Sequence, residues 1–337
     1  MAADREGRAL WREFSAYVAR PTRRPIVMTP EHCYDARALT TERRRLMNFK
    51  VQLSRSIAAA LLTVSMTAHY GWSQGTIIVD SGGFEPPAYT TTFLGTGQLE
   101  GQPPSQPWLR TVGGTSTAIV QNTVVGSGTQ AVQVDRHPNS DARWAIPLFG
   151  WPSQPIVVVD FDMRVSQTPG GMLFGPFFGS ESYDTDGIGS GVGLFGSLGV
   201  DATTGDVLYQ AEDTGFLTET GATVNFDEWN HYRMILDFTF DRYSTYLNNS
   251  FLTTTGFVDR ANGLNQLTDS DISTFAAGGD AASKALAGQA FFDNFLVRQF
   301  PNLAAVPPAL LIPEPTSGLL ACLGGVVLLK VRRRELC

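Results

Sequence analysis

The acidic side chains are the first candidates for chemistry, because hydrolysis of a glycosidic bond takes two carboxyl groups that flank it. Three carboxylates lie close together at Glu181, Asp184 and Asp186, and two more are adjacent at Glu212 and Asp213. Glycine and serine surround the first group and predict a loop, which holds an acid and a nucleophile less rigidly than a strand. Neighbouring side chains such as the second pair point to opposite faces of an extended strand. Neither group therefore predicts catalysis.

Histidine and cysteine add little further chemistry. His137 precedes a proline and His231 stands at the start of a predicted strand, and neither neighbours the Gly-x-Ser-x-Gly pattern of a nucleophilic serine. Two isolated histidines without cysteine partners also make a poor zinc site. The cysteines are Cys33, Cys322 and Cys337, so the body of the chain is predicted to fold without an internal disulfide.

The charge is distributed unevenly along the 337 residues. Ten arginines fall in residues 1–46, whereas residues 74–315 hold 9 basic and 25 acidic side chains, a net charge of −16. Because phosphate binding needs a basic surface, nucleic acid is excluded as a partner of this acidic part. Cations and sugars remain possible ligands.

Residues 47–73 have the organisation of a secretory signal peptide. Lys50 and Arg55 are followed by an apolar stretch over residues 57–68, and Gly71 and Ser73 are small residues at the spacing favoured by signal peptidase. We expect cleavage before Gln74 and interpret residues 1–46 as a non-native or disordered extension. The alternative is a genuine cytoplasmic extension with the apolar stretch as a signal anchor, which is short for a membrane span.

Residues 75–300 predict an all-β domain, because short apolar or alternating runs are separated by turn residues. The clearest alternation is at Asn230–Phe240, and the following Asn248-Asn249 suits a tight hairpin. The number of strands favours a two-sheet antiparallel sandwich. The predicted strands are Thr76–Asp80, Thr117–Val125, Ala131–Asp135, Trp144–Leu148, Ile156–Val165, Met172–Phe178, Val192–Leu198, Val207–Ala211, Trp229–Phe240, Ser244–Asn248 and Ala290–Arg298.

The chain ends in an ordered series of signals after a predicted linker at residues 301–311. A proline-flanked acid is followed by an apolar segment over residues 317–331, predicted to be a single short transmembrane helix, and then by a basic cluster that would stay in the cytoplasm. The run is shorter than the hydrocarbon core of a bilayer, so spanning requires snorkelling or thinning. The motif is Pro313, Glu314 and Pro315, and the cluster is Arg332, Arg333 and Arg334.

These three elements, over residues 312–334, resemble the PEP-CTERM sorting signal of Gram-negative bacteria. The resemblance implies an exosortase and signal peptidase as partners during export, with an inner-membrane intermediate. It also implies a final location at the cell surface or in the extracellular matrix.

A second resemblance covers residues 75–300. The Trp229–Tyr232 start of a long strand, the hairpin that follows it, the closing Phe291–Val297 strand and the opening Gly83–Tyr89 segment are similar to concanavalin-A-like, laminin-G-like jelly rolls. The resemblance implies a structural calcium ion near Glu85 and Asp293, and the acidic loop with Asp184 and Asp186 is a second candidate site. It also implies that a glucanase would carry Glu-x-Asp-x-x-Glu, and this motif is absent from the sequence.

The sequence therefore predicts an exported surface or matrix protein whose non-catalytic jelly roll binds glycan or protein, with exopolysaccharide as one such partner. No cofactor other than calcium is expected. The alternative is a secreted glycan-active hydrolase or lyase on the same scaffold. Aromatic residues available for sugar stacking are Trp108, Trp144, Trp151, Tyr183, Tyr209 and Tyr243.

Overall fold

The computed structural model describes residues 75–148, 153–170, 174–185 and 192–307, together with Leu310. The strands are β1 (Thr76–Asp80), β2 (Leu109–Val112), β3 (Thr117–Gln121), β4 (Ala131–Arg136), β5 (Ala142–Pro147), β6 (Ile156–Val165), β7 (Pro176–Asp184), β8 (Gly193–Asp201), β9 (Asp206–Gln210), β10 (Leu217–Thr223), β11 (Asn230–Asp237), β12 (Arg242–Leu247), β13 (Ser250–Gly256), β14 (Asp269–Ala276) and β15 (Gly288–Phe300). A short α-helix, α1, spans Ala281–Lys284. The signal peptide at 47–73, Trp151, Asp186, the sorting motif and the basic cluster lie outside the described residues.

The strands form two antiparallel sheets, which confirms the predicted β-sandwich. One is eight-stranded, with the order β13-β12-β11-β6-β15-β4-β3 and β1 paired to β15. The other is seven-stranded, with the order β10-β9-β8-β7-β14-β5-β2. Within the described part of the chain, no helix is long and apolar enough to cross a membrane.

Strand β11 shows how alternation builds the core. Tyr232, Met234 and Leu236 are buried between the sheets, while His231 and Arg233 lie on the outer face of the eight-stranded sheet. The predicted continuation to Phe240 is wrong, because the strand ends at Asp237 and a turn leads into β12. The Asp237 carboxylate accepts a hydrogen bond from the Thr239 amide at 3.0 Å and so caps this turn.

Strands β7 and β14 correct the sequence prediction most. The Met172–Phe178 strand and the loop after it are replaced by β7, which extends to Asp184, and β14 lies where no strand was predicted. Both are inner strands of the seven-stranded sheet, each paired on two sides. Backbone pairing on both edges holds serine, glycine and aspartate in strands that composition alone assigns to loops.

Candidate functional site

A cleft of about 400 Å³ opens on the outer face of the seven-stranded sheet. Along β7, Phe178 belongs to the sandwich core, so Phe177, Gly179, Glu181 and Tyr183 face outward by alternation. Strands β5 and β14 contribute their outward residues in the same way. Charged and aromatic side chains that line the cleft include Asp141, Arg143, Glu181, Tyr183, Asp259 and Phe275.

Arg143 is the centre of the cleft floor. Its Nε lies 2.8 Å from Glu181 Oε2 and 3.9 Å from Asp271 Oδ2. Glu181 and Asp271 are register partners on β7 and β14, and Arg143 comes from β5 on the far side of β14. Three adjacent strands therefore hold one guanidinium against two carboxylates, and both carboxylates are almost completely buried.

Arg143, Glu181 and Asp271 form a charged cluster. Tyr183 on β7 and Asp269 on β14, the next register partners on the same face, extend it. The Tyr183 ring lies 4.6 Å from the Arg143 guanidinium carbon, which is the geometry of a cation–π contact. Tyr183 also lies close enough to Glu181 to act on the pKa of that carboxyl, which it lowers. Arg143 is thus held by Glu181, Asp271 and Tyr183, so the side chains of the cleft floor are already ordered before a ligand arrives.

Burial favours protons on the acids of this cluster. Burial raises the pKa of Glu181, and burial together with the Glu181 charge raises that of Asp271 well above its usual value. Burial also raises the pKa of Asp269 to about 7, against the attraction of Arg143. Burial alone would lower the pKa of Arg143, but the charges of Glu181 and Asp271 outweigh it. The arginine remains charged, while Asp269, with a pKa of about 7, is partly protonated near neutral pH.

Glycines flatten the sheet surface beside the charged cluster. A Cβ on Gly179 would lie 2.3 Å from the Leu198 carbonyl oxygen, and one on Gly199 would lie 2.5 Å from Phe177 Cζ. The Phe177 ring covers both glycines and stacks on Phe275 at 4.5 Å between ring centroids. An aromatic surface therefore adjoins the polar floor.

A second groove, of about 490 Å³, lies near the edge of the same sheet. It is lined by Leu208 and Leu217 of β9 and β10 and by two exposed aromatic residues, Phe174 and Phe216. Gln210, two positions after Leu208 on the same face of β9, lines the cleft. Strand β9 thus connects the cleft to the aromatic groove.

The structure brings the predicted calcium ligands Glu85 and Asp293 to one place. Both lie within 4 Å of the position that a Cβ on Gly83 would occupy. Glu85 accepts hydrogen bonds from the amides of Thr129 and Gln130 at 2.6 and 3.0 Å, and Asp293 accepts one from the Ser127 amide at 2.8 Å. These bonds tie the 127–130 loop to both acids.

The two acids respond differently to this environment. Burial raises the pKa of Asp293 to about 6, against its hydrogen bonds. Burial also acts to raise the pKa of Glu85, but its hydrogen bonds with Thr129 and Gln130 outweigh this and lower it. Among the described residues, no group of three or more His, Cys, Asp or Glu side chains could hold a metal ion.

Asp184 does not lie in the loop that was predicted for it. It is buried at the end of β7, and its Oδ2 accepts hydrogen bonds from the amides of Asn265 and Gln266, each at 3.3 Å. Its strand places it on the opposite face from Glu181, three positions earlier. Glu181 and Asp184 therefore lie on opposite faces of the sheet.

His231 belongs to a charged network on the outer face of the eight-stranded sheet. Its ring nitrogens lie 2.8 Å from Asp162 Oδ1 and 3.2 Å from Asp160 Oδ1, and Asp160 also pairs with Arg233 and Arg298 at 2.5 and 2.6 Å. Burial acts to lower the pKa of His231, but the two aspartates raise it to about 9. Burial likewise raises the pKa of Asp160, but these partners hold it below its usual value.

Tyr183 is the predicted sugar-stacking residue that reaches the cleft. Trp108, Trp144 and Tyr243 are buried in the core, and Tyr209 packs against it. The sequence reasoning also missed Arg143, Asp269 and Asp271. The available signal was the alternation of Arg143 with the apolar Trp144 and of Asp271 with Ile272, which marks each as the polar face of a short strand.

Comparison with known proteins finds likeness only among solved structures. No protein-family model and no curated protein matches the chain. An endo-β-1,4-glucuronan lyase from the fungus Trichoderma reesei is 11% identical, with a TM-score of 0.42 over 57% of this chain and 91% of that one. Cellulose induced protein Cip1 is 17% identical, with a TM-score of 0.41 over the same shares. Alginate lyase Aly36B is 13% identical, with a TM-score of 0.36 over 56% of this chain and 86% of that one.

Proposed function

We propose that this protein is an exported surface or matrix protein that binds a glycan in the cleft of its seven-stranded sheet. The observation that carries the proposal is the ordered floor in which Arg143, Glu181 and Tyr183 line one cavity. Sugars present hydroxyl groups that bridge carboxylates and guanidinium groups, and apolar ring faces that pack on aromatic side chains. The cleft offers both kinds of partner, already held in place.

Calorimetric titration of the full chain with β-linked oligosaccharides tests this proposal. Tyr183→Ala removes the half-buried ring from the floor, and we expect binding to weaken about tenfold, since an aromatic contact contributes about 1 kcal/mol beyond its buried area. Phe251→Ala, at an exposed aromatic residue on β13 of the other sheet, is the matched control. Unchanged affinity of the Tyr183 variant, or an equal loss in the control, would place the glycan elsewhere.

Export and sorting rest on the sequence pattern of residues 47–73 and 312–334. Val306 and Leu310 pack on the outer face of the eight-stranded sheet, and the Leu310 carbonyl accepts a hydrogen bond from Arg233 at 2.9 Å. If the chain beyond Leu310 were attached to the membrane, the cleft would face away from the membrane, because it lies on the other sheet. We propose exosortase and signal peptidase as partners. Mass spectrometry of the surface form should give an N-terminus at Gln74 and a C-terminus near Pro313, whereas an intact Met1 and Cys337 would exclude both cleavages.

Structural calcium at Glu85 and Asp293 remains a prediction from the resemblance. Its support is that both acids meet beside Gly83, where oxygen ligands from a loop and a strand converge. The ion would join the opening segment to β15, so removing it should lower the melting temperature of the full chain. An unchanged melting temperature after treatment with a chelator would end this prediction.

Glycan cleavage is the second candidate function, favoured by the two facing acids Glu181 and Asp271. Burial raises the pKa of both carboxyls, which favours the protonated form that a general acid needs. Release of reducing ends from a bound glycan, lost in Glu181→Gln with binding retained, would establish catalysis. Binding without product formation would leave the protein as a binding module.

A further inference from the structure

We infer that the glycan site continues from the cleft into the aromatic groove, so that it binds several units of one long polysaccharide chain at once. The inference rests on the proposed function and names the class of its ligand. It starts from the two aromatic residues that line the groove, Phe174 and Phe216, whose exposed fractions are 53% and 77%. Large apolar side chains that are exposed together, rather than singly, mark a surface at which another molecule binds.

The backbone before β10 holds Phe216 in its exposed position. Thr214 Oγ1 donates a hydrogen bond to the Ala211 carbonyl at 2.8 Å and accepts one from the Phe216 amide at 3.3 Å. Gly215, between them, has a φ of 62°, which glycine adopts without strain. An ordered turn therefore presents the ring, and less conformational entropy is lost when a ligand stacks on it.

The neighbouring Gly175 positions Phe174 in a similar way. The Gly175 amide donates to Asp201 Oδ2 at 3.0 Å, and the Gly175 carbonyl accepts from the Ala277 amide at 3.0 Å. A Cβ on Gly175 would lie 2.4 Å from Thr203 Cγ2, so this close packing requires glycine. The backbone next to Phe174 is therefore fixed on both of its hydrogen-bonding sides, although the Phe174 ring itself is exposed.

The groove has the room and the chemistry for a sugar ring. Its volume of about 490 Å³ lies within the range of small-molecule sites. Residues 277–279 contribute one alanine and two glycines to its lining, so this part of the wall carries no side chain larger than a methyl group. Glu219, exposed on β10, adds a carboxylate that accepts hydrogen bonds from sugar hydroxyl groups.

The groove and the cleft adjoin on one face of the seven-stranded sheet. Gln210 lines the cleft, Leu217 lines the groove, and the two are register partners on β9 and β10. The side chains of such partners point to the same face and lie about 5 Å apart. Five steps between strands lead from Arg143 on β5 to Leu217, which is about 24 Å at about 4.8 Å a step. One polysaccharide chain that crosses the strands therefore reaches both places.

The charge of the groove disfavours a second copy of this chain as its occupant. If the groove packed against the same groove of another molecule, the exposed Glu219 carboxylates of the two copies would be brought together. Glu219 also lies within β10, the edge strand of the sheet, where a charge discourages pairing with a strand of another protein. A sugar chain without charge meets neither obstacle.

Oligosaccharides of two lengths test the inference by calorimetric titration of the full chain. The probes are the disaccharides and hexasaccharides of β-1,4-linked glucose, mannose, N-acetylglucosamine and glucuronate. A disaccharide is too short to occupy the cleft and the groove together. For the sugar that binds best, we therefore expect the hexasaccharide to bind at least tenfold more tightly than the disaccharide, and a disaccharide that binds too weakly to measure meets this expectation.

Phe216→Ala tests the groove itself. We expect about tenfold weaker binding of the hexasaccharide, because a stacking partner is lost, and no change for a disaccharide held in the cleft. Tyr183→Ala, in the cleft floor, should weaken the binding of both lengths. Phe251→Ala removes a ring that is 54% exposed on the other sheet and should leave both affinities unchanged. Because Phe216 is exposed, its variant should keep the melting temperature of the wild type.

The outcomes distinguish this inference from the proposed function. Equal affinity for the two lengths, or an unchanged affinity of Phe216→Ala for the hexasaccharide, would overturn the inference and leave glycan binding in the cleft intact. Binding of none of the probes would overturn the proposed function with it. Sedimentation that shows a wild-type protein dimer, dissociated by Phe216→Ala, would assign the rings to a second copy and overturn the inference as well. Affinity that rises with length, and that Phe216→Ala reduces for the hexasaccharide alone, would support both.

Discussion

Asp269→Asn should make the protein more stable at pH 8 and leave its stability at pH 4 nearly unchanged. Asp269 is 7% exposed, and burial raises its pKa from 3.8 to about 7 in the folded chain. A carboxyl with a raised folded-state pKa contributes its full stability below pH 4, and this contribution is lost as the pH rises through 7. Asparagine has nearly the same shape but does not titrate, so the variant escapes this loss.

The magnitude follows from the two pKa values. The difference between 3.8 and about 7 corresponds to about 4 kcal/mol, at about 1.4 kcal/mol for each factor of ten in proton affinity. For a domain of this size, about 4 kcal/mol raises the melting temperature by about 10 °C. The variant should therefore exceed the wild type by this amount above pH 7.

Urea unfolding of both proteins between pH 4 and pH 8 measures this difference. Asp213→Asn, at an exposed turn residue, removes the same charge without burial, so its unfolding free energy should stay parallel to that of the wild type. A difference between the Asp269 variant and wild type that is the same at pH 4 and pH 8 would refute the reasoning. So would a variant that is less stable at pH 8.

Three further substitutions test the scaffold around both charged clusters. Arg143→Leu leaves two buried carboxylates without their cation and should cost about 3–5 kcal/mol at neutral pH, and less at pH 4 where they are protonated, by urea unfolding. Gly179→Ala places a Cβ 2.3 Å from a backbone oxygen and should lose at least about 3 kcal/mol, whereas Gly279→Ala, with nothing within 4 Å, should change stability by less than about 0.5 kcal/mol. Asp160→Asn should destabilise the protein by about 3–5 kcal/mol and lower the His231 pKa from about 9, as followed by NMR titration.

Strands with one core face and one polar face were predictable from sequence. Tyr232, Met234 and Leu236 alternate with polar residues, and β11 lies where that pattern indicates. The Asn248-Asn249 hairpin is also confirmed, because both residues adopt a positive φ, 49° and 63°, which asparagine tolerates. Local conformational preference and tertiary structure agree at these places.

The seven-stranded sheet was harder to predict because polar residues occupy both of its faces. Ser182 and Ser270 face the core and pair at 2.8 Å, so the inward side of β7 and β14 carries no apolar signal there. The cleft itself joins distant residues, since the amide of Glu181 donates to the Asp271 carboxylate across 90 positions of sequence. A search for two acids along one strand cannot find a pair contributed by two strands.

The charge of the cleft is a local feature and does not simply follow from the acidic composition of the chain. On the outer face of the other sheet, the buried Asp160 meets Arg233, Arg298 and His231, so cations there match the acids. The same chain can therefore neutralise a buried carboxylate with its own cations. In the cleft, Arg143 faces several acids, and burial raises the pKa of Glu181, Asp269 and Asp271, so protons rather than further cations reduce the negative charge there.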